Sequence, residues 1–513
     1  LLAAGAALAW FGLHGTTWAQ AGETRAGGDF QAALTQDSGC KDPWQTTLRT
    51  QLEYQRQTVD SLVYLGRDGA FTPWLAESWT ANDDATVFTF RLRTDVSFTD
   101  GTVLDAAAVK ANLDAMKALG PVAPTPSSYL IDYTGAEVID PHTIMVKFGK
   151  PNAQFLFGIS TPNLGIYSPQ TATLDAASRC AGKAVSSGPF SIGSYVPNER
   201  IRLVRNPNYR WGPAVLPNRS AAHVEAVTYN IVTNPTAVAD GLINGRLQLA
   251  QGIADQSLDQ VATAGMRHLE QAPAGTAWSF IVNPRRGNIG DIAVRQAMNI
   301  AIDRETLMVT QPTSIVSPAK GIFAPTHPFF ADHSTALAYD PDKARDILDK
   351  AGWRVGSNGI RVKDGRRLRV NVISYQTAVS FSSMMELIKQ QLSEVGIDLT
   401  LSPITPNEER QRRTEGNFET RLSKFTGADP VILAQLVAGI DPVIDRLLAE
   451  QGSTTDPAKR RKAVSELSDY IMQQAYIIPV YDQSSSIWWR PDLLNVTFDL
   501  GDLTMMTQVQ LPR

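Results

Sequence analysis

Six histidines, two cysteines and 51 acidic residues are the groups from which this 513-residue chain could build a catalytic or metal site. The histidines are His14, His142, His223, His268, His327 and His333, and only the last two lie near each other. They stand six positions apart across Pro328, so they share no helical face and read as loop histidines in solvent rather than metal ligands. Cys40 and Cys180 lie far apart, without the CxxC spacing of zinc or thiol-exchange sites. Carboxylate pairs such as Asp83-Asp84 and Glu408-Glu409 have the form of a turn and of a charged helix face. The sequence holds no GxSxG elbow, no HExxH, no P-loop and no GxGxxG after a strand. Bond-making chemistry therefore lacks its parts. A binding cleft needs different ones, aromatic walls and a few polar groups that fix a ligand, and ten Trp can supply walls as well as core.

The elements that would position such groups alternate between strand and helix. Phe88, Phe90 and Leu92 repeat with period two and predict a strand with one buried face. Asp100-Gly101 is a turn dipeptide, Asp105 can cap a helix, and Val109, Leu113 and Met116 give that helix its apolar face. Further strands are expected over 29–34, 137–140, 143–148, 200–204 and 224–231, with Pro141-His142 turning a hairpin, and helices over 54–63 and 237–244. The character changes near Gly275. Beyond it the pattern predicts strands at 277–282, 367–373, 397–401 and 477–481. A long helix is expected over 292–307 and others over 342–351, 384–395 and 462–474, which makes an α/β lobe. The sequence shows no internal repeat and by itself supports two domains with a boundary near 275.

Forty-seven basic and 51 acidic residues are well mixed, and the net charge of −4 leaves no basic footprint for nucleic acid and no polybasic membrane patch. Residues 1–13 are apolar and too short to span a bilayer; with Ala19-Gln20-Ala21 as a small-x-small cleavage site, residues 1–21 read as a signal peptide truncated at its front. No later segment has the roughly 20 apolar residues of a membrane helix, so a soluble exported protein is expected. Export leaves two readings for the cysteines, buried free thiols or a bridge. A bridge would close a loop of about 140 residues, worth about 4–5 kcal/mol by chain entropy.

Particular wording carries further. Pro73-Trp74-Leu75-Ala76-Glu77-Ser78-Trp79 is followed by Phe90-Arg91-Leu92-Arg93, Asp100-Gly101-Thr102 and Val109-Lys110. Then come Ser187-Gly188-Pro189-Phe190, Arg205-Asn206-Pro207-Asn208-Tyr209, Val294-Arg295-Gln296-Ala297, Ala301-Ile302-Asp303-Arg304-Glu305, Asp340-Pro341-Asp342-Lys343-Ala344 and Ala351-Gly352-Trp353. In this order they resemble the family 5 extracellular solute-binding proteins, the peptide/nickel-type receptors of ABC importers, over nearly the whole chain after residue 21. The resemblance implies a two-lobed α/β fold of the periplasmic-binding-protein type II kind, with an extra subdomain in lobe one and two hinge crossings. Lobe one would hold residues 22–276 and 485–513, its inserted subdomain about 43–189, and lobe two 277–484. A subgroup of the family carries both Gly39–Pro43 and Cys180-Ala181-Gly182, which implies the Cys40–Cys180 disulfide. Asp37-Ser38-Gly39 before Cys40 is no lipobox, so the resemblance points to a periplasmic location without a lipid anchor.

The same resemblance assigns a site. Phe425, in Lys424-Phe425-Thr426-Gly427-Ala428-Asp429-Pro430, would stack on the ligand, Thr426 would hydrogen-bond to it, and Asp429-Pro430 would set the loop. Tyr481 and Gln483 would face the cleft from the return strand, Trp278 from the first crossing and Tyr129 from a loop of lobe one. Arg413 falls where oligopeptide receptors place a basic group near the ligand carboxylate, although a solvent-facing arginine on a helix fits it too. One departure stands out: the loop lacks the acid that dipeptide receptors use for the α-ammonium, unless Asp429 serves. The implied function is capture of a peptide or peptide-like solute and its delivery to an ABC permease with its ATPases, by a receptor monomeric in solution and needing no cofactor. Opines and metal chelates are the alternative ligands, and a periplasmic hydrolase the alternative class.

Overall fold

The computed structural model describes residues 24–25, 27–37, 39–310, 316–375 and 379–512. The segment expected to be a signal peptide lies outside them. Strand Asp29–Leu34 forms as expected and sits inside a seven-stranded sheet. It runs parallel to Ala226–Ile231, and the two bury Phe30, Ala32, Val227 and Tyr229 in one core. Strands Arg200–Arg205 and Phe190–Val196 extend one side of that sheet. On the other side lie Leu249–Gln251, Ser485–Trp489 and Arg267–Gln271.

A four-stranded antiparallel sheet forms between residues 76 and 148, from Ala76–Ala81, Val87–Leu92, Thr143–Phe148 and Tyr133–Asp140. The period-two residues Phe88, Phe90 and Leu92 are fully buried beneath helix Ala106–Leu119. The Asp105 carboxylate accepts from the Ala108 amide and so caps that helix. Gly101 has φ of 87°, the left-handed conformation the preceding turn requires.

A six-stranded sheet carries the second α/β unit. Its order is Val316–Pro318, Ile477–Gln483, Trp278–Val282, Thr420–Ser423, Arg369–Ser374 and Asp398–Pro403. Helices Ile292–Ile300, Pro341–Lys350 and Val379–Glu394 pack their apolar faces on it. The chain passes from the seven-stranded sheet to the six-stranded one between Gln271 and Trp278, and returns across Ser484.

Two expected helices take other forms. The 54–63 helix is instead Arg49–Gln55, and the residues after it enter the core irregularly. The buried Arg56 guanidinium holds them, donating to Ser61 Oγ and the Ser160 carbonyl. The apolar spacing over 292–307 belongs to two helices, Ile292–Ile300 and Arg304–Leu307. Asp303 caps the second through the Thr306 amide. Buried Arg304 donates to the carbonyls of Asn299 and Ile302 at the break, satisfying acceptors the break would leave unpaired, and to those of Leu337 and Pro479 from other segments.

Cys40 and Cys180 form a disulfide with Cα atoms 4.2 Å apart, backed by a hydrogen bond from the Lys41 amide to the Cys180 carbonyl. Nearby, Asp60 gathers two of the family motifs. Its carboxylate accepts from Ser187 Oγ, Tyr209 Oη and Trp211 Nε1, at 2.8, 3.1 and 2.8 Å. Gly188 lies so close to the backbone of Thr58 that an added Cβ would sit 2.3 Å from its carbonyl carbon. The Ser-Gly-Pro-Phe wording is thus a packing requirement.

Candidate ligand-binding cleft

The site begins with backbone. At the first crossing the Thr276 amide donates to the Phe425 carbonyl at 2.8 Å, and the Phe425 amide returns a bond to Thr276 Oγ1 at 2.9 Å. The Gly427 amide donates to the Ala274 carbonyl at 2.8 Å. An added Cβ on Gly275 would lie 2.2 Å from the Phe425 oxygen, so only glycine lets the two segments approach this closely. The loop 425–428 is thereby tied to the crossing. Its other end is fixed by Asp429, fully buried, which accepts from the Val431 amide and pairs with Arg460 at 2.9 Å.

Over this platform lies a cavity of about 340 Å³, within the range of small-ligand sites. Tyr129, Ser160 and Asn163 line it from one side, Thr426 and Ala428 from the six-stranded unit, and Leu500 from the C-terminal segment. Arg56 and Asp499 stand at its wall, 3.5 Å apart, so their charges largely cancel. Thr426 and Pro273 also border a second space of about 10 Å³, the size of one water, whose other walls include Lys424, Phe425, Asp482 and Gln483. A broader depression of about 590 Å³ lies along helix Val379–Glu394, lined by exposed Lys389, Gln390 and Ser393 and sharing no lining residue with either space.

Within this frame, Phe425 is half-buried, with its ring against the apolar cluster around Ile432 and Leu433 and the Arg421 guanidinium 5.7 Å away. Thr426 is exposed to the cavity. Tyr129 ends a short helix, Pro124–Tyr129, rather than lying in a loop; the prolines at its start suit a first turn, whose amides need no partner. Its ring packs where a Cβ on Gly158 would stand 2.7 Å away. Gln483 lines the small space, and its Oε1 accepts from Trp278 Nε1 at 2.9 Å. Trp278 and Tyr481 stack on each other with centroids 6.0 Å apart and belong to the buried core of the six-stranded unit. Arg413 sits half-exposed on helix Pro406–Glu415, 3.8 Å from Glu409, and borders neither space.

Two charged neighbours were not assigned a role by the sequence reading. Asp482 is 3% exposed, and neither carboxylate oxygen has a hydrogen-bond partner among the described residues. Burial pushes its pKa up to about 7, against the pull of the Lys424 and Lys320 charges. Burial in turn lowers the pKa of Lys424, whose ammonium stands 5.7 Å from the Trp278 ring centroid. Both residues adjoin assigned ones in sequence, but strand alternation hid Asp482: it falls between Tyr481 and Gln483 and reads as facing away from them.

The two neighbouring histidines do not converge. His327 is buried, not a solvent loop residue: its ring lies flat on Phe323, with centroids 3.9 Å apart, and Nδ1 accepts from the Phe329 amide. Burial holds its pKa down to about 3, so it is neutral. His333 pairs with Asp469 at 2.9 Å. Among the described residues no group of three or more His, Cys, Asp or Glu could hold a metal ion.

The profile of the bacterial extracellular solute-binding proteins, family 5, middle region, matches residues 70–436. The chain belongs to that family. It is 24% identical over 476 residues to the nickel-binding periplasmic protein of Escherichia coli (strain K12), covering 87% of this chain and 88% of that protein. It is 26% identical over 467 residues to the glutathione-binding protein GsiB of Escherichia coli O6:K15:H31 (strain 536 / UPEC), covering 84% and 85%. The crystal structure of NikA from Brucella suis in complex with Fe(III)-EDTA superposes with a TM-score of 0.80 at 25% identity, covering 95% of this chain and 100% of that one. This family 5 member is accordingly the solute-binding protein of an ABC transporter and not an enzyme, with permease and ATPase subunits as its partners.

Proposed function

We propose that the chain is a periplasmic receptor that captures a peptide or peptide-like solute between two lobes and delivers it to its permease. Lobe one comprises residues 22–276 and 485–513, with the inserted subdomain about 43–189, and lobe two residues 277–484; the two crossings form the hinge. The observation that carries this reading is the cavity of about 340 Å³ beside the first crossing, walled by residues from either side and bounded by a backbone-tied loop bearing Phe425 and Thr426. Such a cleft suits a ligand with its own amide groups, since hydroxyls, a carboxamide and backbone on the walls can pair with them. On this reading Phe425, Thr426, Tyr129 and Gln483 contact the solute directly, while Trp278 and Tyr481 brace the crossing strands and Arg413 acts on a longer ligand's carboxylate. The receptor works as a monomer.

A metal chelate is the second reading, favoured by the names of the nickel-binding and Fe(III)-EDTA-bound relatives. On that reading a chelate rather than a bare ion would be carried, its own ligands filling the coordination sphere. Titration calorimetry with glutathione, trialanine, an opine and Ni(II)-EDTA separates these readings. Saturable one-to-one binding of a peptide supports the first, and binding of the chelate alone would replace it.

A further inference from the structure

A carboxylate removed from water normally finds donors, because leaving it bare costs several kcal/mol. Asp482 has none among the described residues, although its side chain is almost wholly buried beside the cleft. The nearest compensating charges come from Lys424, which follows strand Thr420–Ser423, and from Lys320 beyond strand Val316–Pro318. Among the described residues neither Lys424 nor Asp482 forms an ion pair within 4.0 Å. Both line the small space at the crossings, and that space adjoins the larger cavity through Thr426 and Pro273. At about 10 Å³ it has room for one water, and a water and an ammonium group are of similar size.

We propose that Asp482 and Lys424 form a subsite at the hinge end of the cleft, whose small space takes the free α-ammonium of an amino-acid head group while the adjoining carboxylate or carbonyl stays at its mouth toward the larger cavity. The ammonium donates to Asp482, and the ligand oxygen accepts from Lys424. Thr276 and Gln483 border the same space and supply neutral polar groups around the pair. With an α-carboxylate beside the ammonium, as in the γ-glutamyl end of glutathione, the filled subsite is close to electroneutral, since one positive and one negative ligand group meet one of each on the protein. It also answers the missing acid in the 425–430 loop: Asp429 is committed to Arg460 and to its helix cap, whereas Asp482, on the strand beyond Trp278–Val282, is uncommitted among the described residues. This inference rests on the peptide reading and names the part of the solute that is recognised.

The test compares trialanine and glutathione with their N-acetyl forms by titration calorimetry on the wild-type protein, Asp482→Asn and Lys424→Met, together with the ligand-free Tm of each. The free-amine probes are expected to bind wild type at least tenfold more tightly than the acetylated ones. Asp482→Asn is expected to abolish that difference while its ligand-free Tm is unchanged or raised, because an unpaired buried charge has been removed. Lys424→Met should weaken both forms. Equal affinity for free and acetylated peptides would overturn the subsite while leaving the receptor reading standing. So would an Asp482→Asn protein with a lowered Tm and unaltered binding, since that marks a charge kept for folding. If no peptide of either form binds wild type, the peptide reading fails and the head-group assignment falls with it.

Discussion

Asp482 and Asp60 show how two buried carboxylates in one protein can have opposite consequences. Burial raises the pKa of both to about 7. Asp60 is held by three side-chain donors that tie separate motifs together, whereas Asp482 is bare. In the unfolded chain each titrates near 3.8. Between about pH 4 and 7 the native state therefore binds more protons than the unfolded one, so their contribution to stability falls as pH rises through that window. Wild type should lose stability from this source between pH 4 and 8, and Asp482→Asn should show a visibly shallower decline. Denaturant melts at several pH values check this; parallel curves would contradict it. Ligand affinity should move the other way, weakening as pH drops below about 7 and Asp482 takes up a proton. Phe425→Ala is expected to lower affinity about tenfold to a hundredfold with the protein still folded. An unchanged Kd by calorimetry would remove Phe425 from the site.

Among the elements, period-two strands and capped helices were the most legible. Strand Asp29–Leu34 forms over the residues expected, and the Asp105 cap fits its amide partner. The helix expected over 292–307 was misread because apolar spacing continues across Ala301-Ile302, where Asp303 caps a second helix and the bonds of Arg304 hold the break. His327 was misread because a loop position suggested solvent, while Phe323 and Phe329 enclose it. The elements of the site were legible through family wording, but the bare state of Asp482 was not. It depends on which donors from distant segments fail to reach it, and no local pattern records that. Gly188→Ala should destabilise by about 2 kcal/mol or more, because its Cβ would meet Thr58 backbone that cannot give way. A thermal melt within a degree of wild type would contradict that packing account. Reduction of Cys40–Cys180 should also lower Tm, with chain entropy setting an upper scale of about 5 kcal/mol.

Across the whole molecule, the two passages between the sheets among the described residues give the geometry of a hinge, with the cavity beside the first, at Pro273 and Ala274, and the small space reaching the second, at Asp482 and Gln483. Closure on ligand should shrink the molecule, and small-angle scattering should record a smaller radius of gyration with a saturating solute. An unchanged radius would mean that the lobes are fixed. Occupation of this cleft by a small, amine-bearing peptide-like solute is what the receptor reading requires. It is tested most directly by native mass spectrometry of the protein purified gently from a periplasm, with mass analysis of what is released on unfolding. A defined small molecule that reacts with amine reagents is expected, and it should be lost in Phe425→Ala and Asp482→Asn. A released chelate or other solute without a free amine, retained by both variants, would contradict it.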